Sequence, residues 1–139
     1  MSARKSFCKL AGFGLTTANA SLLAQFYEDA FGCRRAAAEH VSGMDFEQLM
    51  KVERGAERAT LLLRREAIEL VQFANLGRPY PANSSASDPI FQHFAIVVSD
   101  MTKAFQRLRA VKGWSSITRG GPQQLPDSSG GVTAFKFRD

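Results

Sequence analysis

At 139 residues and 45% apolar composition, the chain fits one domain with a real core, or two small halves sharing one, better than two independent domains. Its formal charge of +5 is scattered through arginines that alternate with glutamates, with no run of five basic residues, so a nucleic-acid partner is not expected and attraction of a small anionic substrate explains the surplus at least as well. The opening MSARKSF is not followed by a signal-like apolar run, no 18-residue apolar stretch occurs, and Cys8 and Cys33 form no CxxC pattern; the expectation is a cytoplasmic protein with two reduced thiols and no membrane partner.

In chain order, residues 9–17 read as a first strand. Asn19 or Ser21 caps a helix over 20–31, where Leu23, Phe26, Tyr27, Ala30 and Phe31 recur at helical spacing and Gly32 supplies the stop. Residues 34–41 form a weaker strand, and Asp45 opens a short helical turn over 45–51. ATLLLRRE (59–66) and AIELVQFA (67–74) are strand-forming runs joined by a tight turn near Arg65 and Glu66. Residues 75–89, with three prolines, read as a connection. A strand over 91–98, a helix over 101–111 striped by Met101, Ala104, Phe105, Leu108 and Val111, a strand at 114–118, a loop at 120–131 and a last strand at 132–139 complete the chain.

The plan repeats at an offset of 81 residues. GFGLTTANASLLAQFY from Gly12 and HFAIVVSDMTKAFQRL from His93 are each a strand, a polar cap and an amphipathic helix, pairing Phe13 with Phe94, Leu15 with Ile96 and Asn19 with Asp100. Gly12 is the counterpart of His93.

Strand alternation puts Glu69 opposite in facing to Ile68 and Leu70 and on one parity with Val71 and Phe73. A carboxylate on so apolar a face suits a general base or a substrate contact, unless Arg64 or another arginine neutralises it. Glu69 and His93 also have the chemistry of a metal pair; the plainer alternative is a solvent-facing carboxylate and a hydrogen-bonded imidazole at a sheet edge. His40 reads as structural or incidental, Phe91, Trp114, Phe135 and Phe137 as core before cavity lining, and Arg78, Tyr80 and Pro81 as a cover over one end of a groove. No phosphate-binding or dinucleotide fingerprint occurs.

FYEDAFG at 26–32, IELVQF at 68–73, FQHFAIVVSDM at 91–101 and GGVTAFKFRD at 130–139, in this order of elements, resemble the glyoxalase/bleomycin-resistance/extradiol-dioxygenase family, also called the vicinal oxygen chelate family. The resemblance implies an α+β fold of paired βαβββ modules in a single domain: residues 1–76, a connector at 77–89, and a second module at 90–139 that lacks its last strand. It also implies metal-ligand positions on the first strand of each module and on the last. Here those positions carry Gly12, His93 and Glu69, and the second carboxylate would fall beyond Asp139. The function it implies is binding of a small oxygenated molecule, as a divalent-metal-dependent lyase, isomerase or dioxygenase using one cation on His93 and Glu69, with Glu69 also as catalytic group. The alternative is a metal-free small-molecule or antibiotic-binding resistance-type protein. A homodimer that covers the open sheet edge is expected.

Overall fold

A computed structural model describes residues 10–90 and 93–139. It divides into two compact units, one running to Glu28 and resuming over Gly32–Leu76, the other made of Asp29–Phe31 and Gly77–Asp139.

In the first unit, strand β1 (Gly12–Thr16) leads into helix α1 (Ala20–Phe31). The helix starts at Asn19 because that residue is extended and its Oδ1 accepts from the backbone N–H of Leu22 at 2.9 Å. It ends at Gly32, whose left-handed φ of 71° lets its N–H return to the carbonyl of Glu28. The apolar stripe buries Ala20, Ala24, Phe26, Tyr27 and Ala30, and Cys33 is buried just after it; Cys8 lies outside the described residues.

Strands β2 (Arg34–Val41), β3 (Ala56–Leu63) and β4 (Glu66–Phe73) complete the sheet in the order β1-β4-β3-β2, and helix α2 (Met44–Met50) is inserted between β2 and β3. β1 runs parallel to β4, and the other pairs are antiparallel. The hairpin turns at Arg64 and Arg65, one residue earlier than the sequence suggested, with Arg64 at a φ of 57°. Ala59, Leu61, Ile68 and Leu70 are buried on one face. Gln72 shares that face, and its Oε1 accepts the backbone N–H of Ala20 at 3.0 Å, which seats the start of α1 on this side of the sheet.

In the second unit, helix α3 (Met101–Arg109) is capped as its counterpart is: Asp100 Oδ1 accepts from the N–H of Lys103 at 3.0 Å. β5 (Ser115–Ser116) pairs with β8 (Phe137–Arg138), and β6 (Gln123–Gln124) pairs with β7 (Thr133–Ala134). The ring of Phe135 lies 4.7 Å from that of Phe105 and 5.8 Å from that of Trp114, whose Nε1–H donates to the carbonyl of Leu108. These aromatics are half-buried and pack against one another, and Leu108 of α3 is buried; Phe91 lies outside the described residues.

Three expectations are corrected here. Residues 93–98 form no strand, and residues 91 and 92 lie outside the described residues. An apolar β-branched run becomes a strand only when another backbone completes its ladder. In the first unit β4 does this for β1, whereas among the described residues 93–98 have no ladder partner and Val97 is 96% exposed. The expected strand at 132–139 is interrupted at Phe135 and Lys136, and the expected loop at 120–131 contributes the short strand β6.

Candidate functional site

The sheet face opposite α1 is where the chemistry collects. Register places Glu69 directly between Gly14 on β1 and Thr60 on β3, with Val71 and Arg58 one step along the same face and Glu39 beyond them on β2. Helix α2 covers part of this face. Its Phe46 ring stacks on Phe73 at 6.5 Å with planes 25° apart. Glycine at its N-cap (Gly43, φ 111°) and a left-handed Lys51 at its C-cap turn the chain sharply at both ends, so seven residues cross the sheet and return. None of the seven is buried, and Leu49 is 79% exposed.

Between α2 and the sheet is a cavity of about 180 Å³, walled by Val41, Phe46, Leu49, Met50 and Val71 and carrying Arg58 and Glu69 as its charged groups. Arg58 donates from Nε and Nη2 to the same oxygen, Oε1 of Glu39, at 3.2 and 2.7 Å. That hydrogen bond is the main cause of a guanidinium pKa raised above its ordinary value; desolvation opposes it, and the charges of Glu39 and Glu69 add to it. Glu69 itself makes no hydrogen bond or ion pair within the described residues. Its arginine neighbour is therefore Arg58, acting at longer range, and Arg64 sits in the hairpin turn instead.

On the α1 side of the sheet a shallower cavity of about 280 Å³ lies beside Ala20, Ala38 and Gln72. Its charges are paired: His40 Nδ1 meets Glu57 Oε1 at 2.7 Å, and Arg35 is bidentate on Glu28. His40 is thus an exposed member of a surface pair. In the second unit the Tyr80 hydroxyl donates to the carbonyl of Ile90 at 3.0 Å, and Arg78 and Pro81 are exposed.

Glu69 belongs to the first unit and His93, which is exposed, to the second. Among the described residues no group of three or more His, Cys, Asp or Glu side chains is placed to hold a metal ion. The Gly12 position is also closed to a ligand: a Cβ there would lie 2.6 Å from the carbonyl oxygen of Ala67, whereas at Gly14 the nearest atom would be 3.9 Å away. Among the described residues, Glu69 is therefore not part of a ligand set that fits a metal site.

Arg58 and Glu39 are the site residues that sequence reasoning missed. Beginning the strand at 59 left Arg58 outside it, although the alternation of Ala56, Arg58 and Thr60 continues the face of Glu69.

Comparison with known proteins agrees with this architecture. The sequence profile of the Glyoxalase/Bleomycin resistance protein/Dioxygenase superfamily matches residues 9–124, and the chain belongs to that superfamily. Among solved structures it is similar to a glyoxalase family protein from Bacillus cereus, at 16% identity over 86% of this chain and 81% of that one, with a TM-score of 0.64. It is also similar to an integron cassette protein from the mobile metagenome of V. cholerae, at 20% identity over 97% of this chain and 89% of that one, with a TM-score of 0.54. At such identities the likeness establishes the fold: α+β, of glyoxalase type, with the βαβββ strand order in the first unit. No curated protein gave a significant match. No helix among the described residues is long and apolar enough to cross a membrane.

Proposed function

We propose that this superfamily member binds a small molecule in the cavity between α2 and the sheet, with the apolar body of the ligand against Phe46, Met50 and Val71 and a donor group on the Glu69 carboxylate. The observation that carries this reading is a half-buried carboxylate with no hydrogen-bond or ion-pair partner in the described residues, set in a mostly apolar cavity whose other charged group, Arg58, is held by Glu39. A carboxylate so placed accepts a hydrogen bond from a hydroxyl, enol or N–H of the ligand, and it is in position to take a proton from an acidic ligand. The reaction class, if chemistry follows binding, is set by the ligand. The cytoplasmic setting and a two-fold dimer covering the open backbone edges belong to the same proposal.

Thermal unfolding of the full chain with a small-fragment library tests it. A ligand of the folded state raises Tm by mass action. Fragments that stabilise the wild type are expected to lose that effect in Glu69→Gln and Phe46→Ala. Stabilisation that survives both substitutions places binding elsewhere and defeats the proposal.

A second reading is the divalent-cation pair of Glu69 and His93 that the family resemblance implies; it is supported by the same uncommitted Glu69 carboxylate. Calorimetric titration with zinc, manganese and nickel separates the two. Stoichiometric binding abolished by both Glu69→Gln and His93→Ala favours the metal, and indifference to either substitution rejects it.

A further inference from the structure

We infer that the ligand of the α2 cavity is an organic cation, a primary or substituted ammonium on a compact apolar body of benzyl or short-alkyl size. The inference rests on the cavity proposed above as the binding site and adds the sign and size of what enters it.

Charge sets the sign. Arg58 and Glu69 are the charged groups of the cavity lining, and Glu39 stands opposite Arg58 on the neighbouring strand β2, outside the lining. The guanidinium is already taken, since Glu39 receives hydrogen bonds from both Nε and Nη2, and the carboxylate left over is Glu69. A ligand anion would face that surplus carboxylate with the nearest guanidinium committed elsewhere. An ammonium forms a charge-assisted hydrogen bond with it instead. The formal charge of the whole chain is +5, which suggested an anionic substrate, yet that surplus is not carried by the lining of this cavity.

The walls support the same class. Phe46 and Met50 offer a π face and a polarizable thioether, both of which receive cations better than anions. Volume sets the size. About 180 Å³ is slightly more than the roughly 150 Å³ in which an engineered apolar cavity holds a benzene ring. Arg58 acts here as a positioning residue: held by Glu39, it is kept from pairing with Glu69 and neutralising the contact.

Three probes of one shape isolate the charge: benzylammonium, neutral benzyl alcohol and benzoate, each titrated into the isotope-labelled full chain and followed by NMR at Phe46, Glu69 and Val71. Benzylammonium is expected to bind at least about tenfold more tightly than benzoate, the ratio that one charge-assisted contact supplies. Glu69→Gln should weaken benzylammonium by about tenfold or more and benzyl alcohol, which also donates to the carboxylate, by less, so that the preference for the ammonium falls. Glu39→Gln, which releases Arg58 toward Glu69, should weaken benzylammonium and strengthen benzoate, each by about threefold or more. Benzoate binding as well as benzylammonium, or ammonium affinity untouched by Glu69→Gln, overturns the cation assignment; if benzyl alcohol still shifts these resonances, the cavity remains the binding site. If none of the probes moves them, the cavity reading fails and this inference with it.

Discussion

Gly12 and Ala67 face each other across the parallel β1–β4 pair with no room for a side chain: a Cβ at Gly12 would stand 2.6 Å from the Ala67 carbonyl oxygen. The position that the sequence repeat aligns with His93 is therefore closed by backbone as well as lacking a ligand atom. Gly12→His is expected to cost about 1–3 kcal/mol in urea unfolding, as overpacking does, and to confer no divalent-cation affinity. Gly14→Ala, with 3.9 Å of clearance, should be neutral or stabilise by up to about 1 kcal/mol. A stable Gly12→His that binds zinc would show that the strand yields.

Gln72 ties β4 to the start of α1 through the N–H of Ala20. Gln72→Leu keeps the bulk and removes the acceptor, so it should lower stability by about 1 kcal/mol. Gln72→Glu keeps the acceptor and adds a charge at the helix N-terminus, and should retain most or all of the wild-type value. Equal losses in the two variants would show that the side chain acts by packing alone.

The caps of the two repeats are comparable by substitution. Asn19→Ala and Asp100→Ala should each cost about 1 kcal/mol, with the larger loss at Asp100. Its carboxylate adds a charge to the cap and lies 3.5 Å from Lys103 Nζ. Chemical denaturation of the two variants gives the order directly, and a larger loss at Asn19 would contradict it.

The Glu39–Arg58 pair is 47% and 36% exposed, so its worth to stability is small, under about 1 kcal/mol. Glu39→Gln should therefore leave the unfolding midpoint nearly unchanged. Because the pKa of Arg58 is raised on folding, its share of stability is fully present below the unfolded value and is lost only as pH rises through the folded one. That window is strongly alkaline, so no change in stability near neutral pH should trace to Arg58. A neutral-pH transition abolished by Arg58→Met would contradict the assignment.

Helix α1 and strand β2 coincide with their sequence expectations because each boundary is written in local chemistry: an asparagine cap, a left-handed glycine, a change of period. The facing of Glu69 was legible for the same reason, since alternation needs only its neighbours Ile68 and Leu70. The hairpin slipped by one residue because Arg64 takes a positive φ without the glycine or asparagine that usually marks it. Residues 93–98 have strand composition, but a strand is a property of two segments, and composition describes one. The cavity was hidden in a similar way. Phe46, Leu49 and Met50 announce a short apolar helical turn, while its position over Glu69 follows from the reversals at Gly43 and Lys51 and the stacking of Phe46 on Phe73, which join residues distant in sequence.

The central claim is that ligands enter beside Glu69 beneath α2, and the most direct measurement is a crystal structure of the full chain soaked with small amphiphilic fragments. The account predicts fragment density between Phe46, Met50 and Val71 with a polar atom within hydrogen-bonding distance of a Glu69 carboxylate oxygen, and none there in crystals of Glu69→Gln soaked with the same ammonium fragments. Fragments bound reproducibly at the α1-side cavity by His40 and Glu57, with the α2 cavity empty at the same concentrations, would contradict it.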